Sequence, residues 1–383
     1  MGVESDITEL INERKSKQVR ALSTQFSIPF FVLVALLATA AAVVAALIIE
    51  PTWAQTASSS PTTNRTQAGG DPLPSWNDGV IKQRIIEFVN NITNPENTNY
   101  YIFPEDRVAV FDNDGTMWSE KPIPFQAFFI LDRLEEPSKS IAAEIKQKNP
   151  QIKQLLEEKN FTNLQLSEKD VMSLALLTES NITQPEFNNM VKMWAKTAQH
   201  PQTDRRFVEM IYQPMIELVD FLKDNHFKTF IVSGGGIDFV REALSSVYGI
   251  PPDQIIGSSI KYQYINGTDP ENSTTIFRKQ ELDSFDNNEV KPENIQLHIG
   301  KVPVLAAGNS DGDLQMLTYT DDNNNLGKSL EILIHHDDGV REYSYDKGAE
   351  NVLQEAKNKN WTIVSMKDDF VRIYPFENST RMN

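Results

Sequence analysis

The sequence predicts an α/β fold, and three observations carry the prediction. Short apolar, β-favouring runs occur at 108–111, 229–232 and 302–307. Each leads at once into a loop of glycines and oxygen-bearing side chains. After the second loop the apolar spacing turns helical, at Ile237, Val240, Ala243 and Leu244, and a further helix begins near Leu314 after the third. A short apolar run bounded by turn residues is a buried strand. In open α/β sheets, ligands bind beyond the carboxyl ends of such strands.

The first junction reads Val108-Ala109-Val110-Phe111 and then Asp112-Asn113-Asp114-Gly115-Thr116. Two carboxylates two residues apart at a strand end can divide labour. One attacks phosphorus and the other moves a proton. Gly115 allows close backbone approach, and neighbouring N–H groups can cradle a phosphate. Taken alone, Asn-Asp-Gly is equally a solvated hairpin turn. A calcium loop does not fit, because the fifth and sixth positions from Asp112 are Thr116 and Met117. The second junction places Ser233 before Gly234, Gly235 and Gly236 at a helix start, which is an anion site or an ordinary glycine-rich turn. The third, Gly308-Asn309-Ser310-Asp311-Gly312-Asp313, suits a hard cation such as magnesium or a solvated acidic cap.

In this order the three junctions resemble the motifs of the haloacid dehalogenase superfamily, over roughly residues 76–376. Asp112, Asp114, Gly115 and Thr116 match its first motif, Ser233 its second, and 308–313 its fourth. The resemblance implies a Rossmann-like core, an aspartyl-phosphate intermediate and Mg2+. Asp114 points to the phosphatases, since dehalogenases lack that second acid, and the Asp-Lys-Thr-Gly-Thr signature of ion pumps is missing. The motifs are most similar to those of exported, phosphoserine-phosphatase-like hydrolases. The implied roles are Asp112 as nucleophile, Asp114 as acid and base, and Ser233, Gly234 and Thr116 at the phosphate. The metal set is Asp112, Asp114, Asn309 and Asp313. Related phosphatases commonly carry aspartate where Asn309 stands, so the cation is expected to bind more weakly here. Asp313 is either a ligand through water or the group that orients the lysine. Asp311 is expected to face solvent.

The family's third motif is a lysine, and two compete. Lys301 precedes the strand that ends at Asn309. At about 3.3 Å per residue it lies roughly 20 Å from the chemistry. Lys291 precedes Pro292 at a short helix start and is preferred as catalytic and phosphate-binding.

The 383 residues carry a net charge of −17 and no cysteine. The acidity argues against a nucleic-acid partner, and thiol chemistry is excluded. Residues 28–49 form an apolar run of about 22 residues, roughly 33 Å as a helix, enough to span a bilayer. Arg14, Lys15, Lys17 and Arg20 precede it and Glu50 follows. The positive-inside rule puts 1–27 in the cytoplasm as a tail and the remainder outside. The expected location is thus the cell membrane, single-pass, with an extracytoplasmic catalytic domain. The run exceeds a signal-peptide core of about 7–15 residues, although 52–54 offers a cleavage site. Residues 50–75 read as a flexible linker. Eight Asn-x-Ser/Thr sequons, at Asn64, Asn91, Asn160, Asn181, Asn266, Asn272, Asn360 and Asn378, all follow the anchor, which fits an exported, glycosylated chain.

Residues 76–383 are read as one hydrolase domain. Between the first two motifs, helices are predicted at 124–134, 141–159, 169–180, 186–197 and 206–225. Most of this insertion, about 120–205, matches the helical cap of the resembling phosphatases, a lid that excludes water and selects substrate. Glu120 and Trp118 stand at its mouth, where Glu120 could read a substrate group and Trp118 could wall the pocket. Asn266-Gly267 suggests a hairpin flap between 258–265 and 274–277. His335 and His336 follow a strand at 330–334. Adjacent strand residues face opposite ways, which argues against a joint ligand pair. A last helix and strand are expected at 348–359 and 361–366. The expected activity is hydrolysis of a small phosphorylated substrate. The alternatives are another phosphoryl-transfer enzyme of the scaffold, a phosphotransferase or pyrophosphatase, or an inactive surface binding module.

Overall fold

The apolar run at 108–111 forms the fully buried strand β1 (Val108–Phe111) at the centre of the sheet. The computed structural model describes residues 70–135, 168–267, 274–324 and 328–377. The apolar run at 28–49, most of the linker, the predicted helix at 141–159 and the hairpin tip lie outside the described residues. Among the described residues no helix is long and apolar enough to cross a membrane. Pro72–Asn383 belongs to one compact unit, and Asn12–Asp71 to another, of which Gly70 and Asp71 are described.

Alternate residues of β1 serve different cores. Ala109 and Phe111 join one apolar cluster and Val108 and Val110 the other. Burial on both faces is what a parallel central strand requires, and it explains the unbroken apolar run. β3 (Lys228–Gly236) and β6 (Leu305–Gly308) flank β1 in parallel, with Phe111 opposite Ile231 on one side and Ala307 on the other. From β3 the sheet continues to β4 (Ile255–Ile265), and from β6 to β7 (Leu330–His335) and β8 (Thr362–Ser365), all parallel. The chain therefore builds outward from β1 in both directions. That reversal opens a crevice at the carboxyl ends of β1, β3 and β6.

Beyond β4 the sheet turns antiparallel. β5 (Thr275–Ser284) pairs with β4, and β2 (Ile182–Thr183) pairs with β5. β2 belongs to the insertion between the first two motifs. The described part of that insertion is thus not purely helical, and it is hydrogen-bonded to the main sheet. Its helices are α2 (Phe125–Glu135), α3 (Glu168–Thr178) and α4 (Gln184–Thr197), after α1 (Val80–Thr93). α4 starts two residues earlier than expected, because Thr183 and Glu186 form a capping box with Pro185 in the first turn. Their shared core is aromatic, with Trp194 stacked on Phe207 at 4.9 Å and Phe125 edge-on to Trp118 at 4.7 Å. Each such ring contributes roughly 1.5–3 kcal/mol through burial.

One expected helix, 206–225, is two elements. A short 3₁₀ turn at Phe207–Glu209 is followed by α5 (Gln213–Asp224). Pro214 has no N–H and its ring clashes with a preceding turn, so it starts a helix and cannot continue one. Likewise β6 begins at Leu305 and not at 302, beyond Pro303. β5 runs to Ser284, well past the expected end at 277. The remaining helices are α6 (Ile237–Tyr248), α7 (Val290–His298), α8 (Leu314–Asn323), α9 (Glu350–Lys359) and the short α10 (Met366–Asp369).

Candidate active site

The crevice gathers residues from four separated segments around one lysine. Asp112 follows β1 directly, and its N–H donates to the Ala307 carbonyl at 2.9 Å. Lys291, in the first turn of α7, is 1 % exposed. Its Nζ donates to Asp112 Oδ1 at 2.6 Å, Asp313 Oδ1 at 2.6 Å and the Val232 carbonyl at 2.9 Å. The three ammonium protons thus have three acceptors. A buried ammonium persists only when paired and hydrogen-bonded in this way. Asp313 is fixed from behind. Its Oδ2 accepts the N–H groups of Asn309 and Ser310, each at 3.0 Å, and the Ser310 hydroxyl at 3.3 Å. Gly308 is required beside it, because a Cβ there would lie 2.5 Å from that of Asp313.

A second cluster consists of oxygens. Asn309 Oδ1 lies 3.3 Å from Asp112 Oδ2 and 3.0 Å from the Asp114 carbonyl oxygen. The Thr116 hydroxyl donates to the same Oδ1 at 3.1 Å. Rotated by half a turn, the amide would turn its two N–H donors toward the Thr116 hydroxyl, the Asp114 carbonyl and Asp112 Oδ2, the orientation that satisfies both ends of the amide. An octahedron with metal–oxygen distances of 2.0–2.1 Å has edges of about 3 Å, so this spacing fits a hard cation. Among the described residues no group of three or more acidic or histidine side chains gathers as a metal cage. The set here is one carboxylate, one main-chain carbonyl and one amide. Gly115 makes the approach possible. It has φ +82°, and a Cβ would fall 2.1 Å from Asn309 Nδ2.

Asp114 points to the other side of its loop. Trp118 Nε1 donates to its Oδ1 at 2.9 Å, and Asn113 Nδ2 lies 3.3 Å from Oδ2. Burial pushes its carboxyl up to about 6; the Trp118 bond opposes this, and Glu120 adds to it. A narrow space of about 10 Å³, room for about one water, lies beside it, lined by Pro124, Gln126, Val171, Met172, Gly234 and Gly235. Ser233 is buried at the end of β3, and its hydroxyl accepts the Gly235 N–H at 3.0 Å. The Gly234 carbonyl accepts the Ser258 hydroxyl at 2.7 Å.

The structure thus brings together Asp112, Asp114, Thr116, Ser233, Lys291, Asn309 and Asp313. Of the two roles left open for Asp313, its geometry is that of the group holding Lys291. Glu120 differs from expectation. Its carboxylate takes the Tyr345 hydroxyl at 2.5 Å and pairs with Lys121 at 3.2 Å, and it does not line the cavity beside Asp114. Asp311 is not a solvated acid. It accepts the Val352 N–H at 2.8 Å and Asn351 Nδ2 at 2.7 Å, capping α9. Lys301 lies at the far end, on Asp106 at 2.6 Å.

Three contributors escaped the sequence reading. Trp118, expected as a wall, grips the Asp114 carboxyl. Tyr248 donates to Asn113 Oδ1 at 2.9 Å. His336 Nε2 meets the Gly115 carbonyl at 2.8 Å, and its other nitrogen faces Glu342 at 3.3 Å. Glu342 also takes the hydroxyls of Ser119 and Tyr212. His335 faces the other way, onto Asp346. Only the strand alternation of the two histidines was readable in advance.

The family profile for haloacid dehalogenase-like hydrolases matches residues 109–318, and the chain belongs to that family. Several solved structures are similar to it. One is a protein of unknown function from Bordetella pertussis Tohama I, 12 % identical, covering 67 % of this chain and 97 % of its own, TM-score 0.42. A functionally unknown protein from Anaerococcus prevotii DSM 20548 is 16 % identical, covering 74 % and 91 %, TM-score 0.45. A phosphoserine phosphohydrolase-like protein from Francisella tularensis subsp. tularensis SCHU S4 is 17 % identical, covering 64 % and 92 %, TM-score 0.36. No curated protein matches the chain.

Proposed function

We propose that this hydrolase is a magnesium-dependent phosphomonoesterase acting on a small phosphate ester through an aspartyl-phosphate. The observation that carries the reading is Lys291, held between Asp112 and Asp313 at 2.6 Å each, with the Asn309 amide and the Asp114 carbonyl on the other side of Asp112. A binding module needs neither paired acid, so the retention of both Asp112 and Asp114 favours catalysis.

Asp112 attacks phosphorus, forming a carboxyl–phosphate bond as the ester P–O bond breaks. Asp114 gives its proton to the departing alkoxide. It then takes a proton from water, which attacks the phosphorus, releases phosphate and restores Asp112. Lys291 and Ser233 hold phosphoryl oxygens through the trigonal transition state. Asp112, the Asp114 carbonyl and Asn309 are the groups that would hold Mg2+. When bound, the cation offsets the repulsion between the Asp112 carboxylate and the phosphate dianion. The apolar run at 28–49 supports a single-pass membrane anchor with this domain outside the cytoplasm.

The test is phosphate release by the full-length protein from a panel of esters, with Mg2+ and with chelator. Wild type should turn over at least one ester only with the cation. Asp112→Asn should abolish release while leaving the fold intact. Full activity in that variant overturns the covalent mechanism, and hydrolysis of no ester favours a binding module. Transfer to an alcohol acceptor, or preference for pyrophosphate, selects the other phosphoryl-transfer chemistries. Alkaline extraction of membranes checks the anchor, and an N-terminus at Gln55 would establish cleavage instead.

A further inference from the structure

Asn309 is the one group of the proposed cation set whose two ends differ. A carboxylate presents oxygen whichever way it turns, whereas an amide presents either oxygen or N–H. With Oδ1 beside Asp112 Oδ2 and the Asp114 carbonyl, the amide can take a hard cation. Turned round, it puts N–H donors in that place, and these repel a cation. What the other end of the amide meets therefore decides whether the set can bind.

That end lies against an aromatic pair. A Cβ on Gly115 would meet Asn309 Nδ2 at 2.1 Å and Oδ1 only at 3.1 Å, so the nitrogen faces the Gly115 turn. The carbonyl of that turn takes His336 Nε2 at 2.8 Å. The His336 ring stacks on Tyr345 with centroids 4.4 Å apart, and the Tyr345 N–H donates to the His336 carbonyl at 2.9 Å. Lys121 Nζ stands over the Tyr345 ring, 4.2 Å from its centroid. The Tyr345 hydroxyl donates to Glu120 Oε1 at 2.5 Å, the length of a bond to a charged carboxylate. Lys121 pairs with the same oxygen at 3.2 Å. Burial pushes the phenol well above its usual range, Glu120 and Glu342 add to this, and a hydrogen bond from its second neighbour, the Asn309 side chain, opposes it. A phenol has one proton. Given to Glu120, it leaves a lone pair for Asn309, which accepts Nδ2–H and repels Oδ1.

We propose that Tyr345 is a positioning residue for the cation: with its proton committed to Glu120, it holds the Asn309 amide with the oxygen toward the metal site. This rests on the magnesium-dependent phosphomonoesterase reading above and gives Glu120 an orienting role in place of a substrate-reading one. Loss of the phenol oxygen, or of the carboxylate that claims its proton, lets the amide turn. An aspartate at position 309 has no wrong way round and needs no such partner.

The experiment measures Mg2+ binding to the full-length protein by titration calorimetry, with no ester present. Tyr345→Phe keeps the ring beside His336 and Lys121 and removes only the oxygen. It should weaken Mg2+ binding by about 3- to 10-fold, the scale of one hydrogen bond. Glu120→Ala should weaken it similarly, because the phenol proton then passes to Oδ1 of the turned amide. In an Asn309→Asp background, Tyr345→Phe should change the affinity by less than about twofold, since the bond it deletes no longer orients anything. A loss of equal size in that background means a merely structural role and overturns the proposal. Unchanged affinity in Tyr345→Phe, or in Glu120→Ala, also overturns it. Wild type that binds no Mg2+ overturns it together with the cation set. The expected pattern of affinities in a protein that hydrolyses no ester upholds the orienting role and removes the phosphomonoesterase reading alone.

Discussion

Replacing Lys291 by methionine keeps most of the side-chain volume and removes the charge. The ammonium is 1 % exposed and serves two carboxylates at 2.6 Å. Its removal leaves Asp112 Oδ1 and Asp313 Oδ1 facing each other across an apolar chain. Breaking a buried ion pair from one side typically costs about 3–5 kcal/mol. For a unit of roughly 300 residues, 1 kcal/mol moves Tm by about 1.5 °C, so Lys291→Met should melt roughly 4–8 °C lower. Turnover should fall by about 10²–10³-fold, the scale of losing one donor to transition-state charge. Adding Asp313→Asn should restore part of the stability and none of the turnover. Lys301→Ala is the control. That lysine is 41 % exposed at its side chain and pairs with an exposed Asp106, and such pairs contribute about 0–1 kcal/mol. Differential scanning fluorimetry and single-ester kinetics on both variants decide the matter. Equal melting of the two variants, or a slower Lys301→Ala than Lys291→Met, would refute the assignment.

Trp118→Phe retains the ring packed on Phe125 but deletes the 2.9 Å bond to Asp114. It should lower kcat roughly tenfold or more with KM little changed; an unchanged kcat would reduce Trp118 to packing. In a magnesium titration of activity, Asn309→Asp should lower the requirement and Asn309→Ala should raise it. Asp311→Ala should leave the requirement alone and lower stability by about 1 kcal/mol through loss of the α9 cap; a raised requirement in Asp311→Ala alone would move the metal site. Glu331, 6 % exposed on β7 with Oε1 lacking a hydrogen-bond partner, has its carboxyl pushed by burial from 4.5 to about 7. Between those pH values the folded state holds a proton that the unfolded state has released, so stability falls as pH rises, by about 3 kcal/mol in total at 1.36 kcal/mol per unit. Glu331→Gln should flatten that slope in denaturant unfolding at pH 5 and pH 8; a slope unaltered by the substitution would show that the carboxyl titrates normally.

What the sequence discloses is whatever depends on neighbours along the chain. Asp112, Ser233 and Asn309 each stand at the end of an apolar run, and a strand end is a local property. Lys291 could be chosen over Lys301 because strand direction alone puts Lys301 at the wrong end. The lysine-holding role of Asp313 was one of two readings, since deciding it requires knowing where α7 packs. Trp118, Tyr248 and His336 were beyond reach as a set. Tyr248 meets Asn113 across 135 positions and His336 meets Gly115 across 221, and no local pattern announces either contact. Glu120 attracted the substrate-reading role by its closeness to the first motif, yet Tyr345, 225 positions away, takes its carboxylate. Element ends were misjudged mainly where proline decides them, as at Pro303 before β6 and Pro214 in α5.

The pairing of β2 with β5 joins two excursions of the chain that leave the core at different points. One departs after β1 and the other after β4, yet Ile182 sits opposite Arg278 and Thr183 opposite Phe277. A lid hinged only at its own two ends could swing away from the crevice by itself. Here the inserted helices cannot lift without either unzipping that ladder or carrying the hairpin with them. Arg278 lies on the seam, and its Nε donates to the Glu179 carbonyl at 2.9 Å, tying the hairpin to the end of α3. The insertion and the hairpin are thereby held to one sheet edge by a two-residue strand.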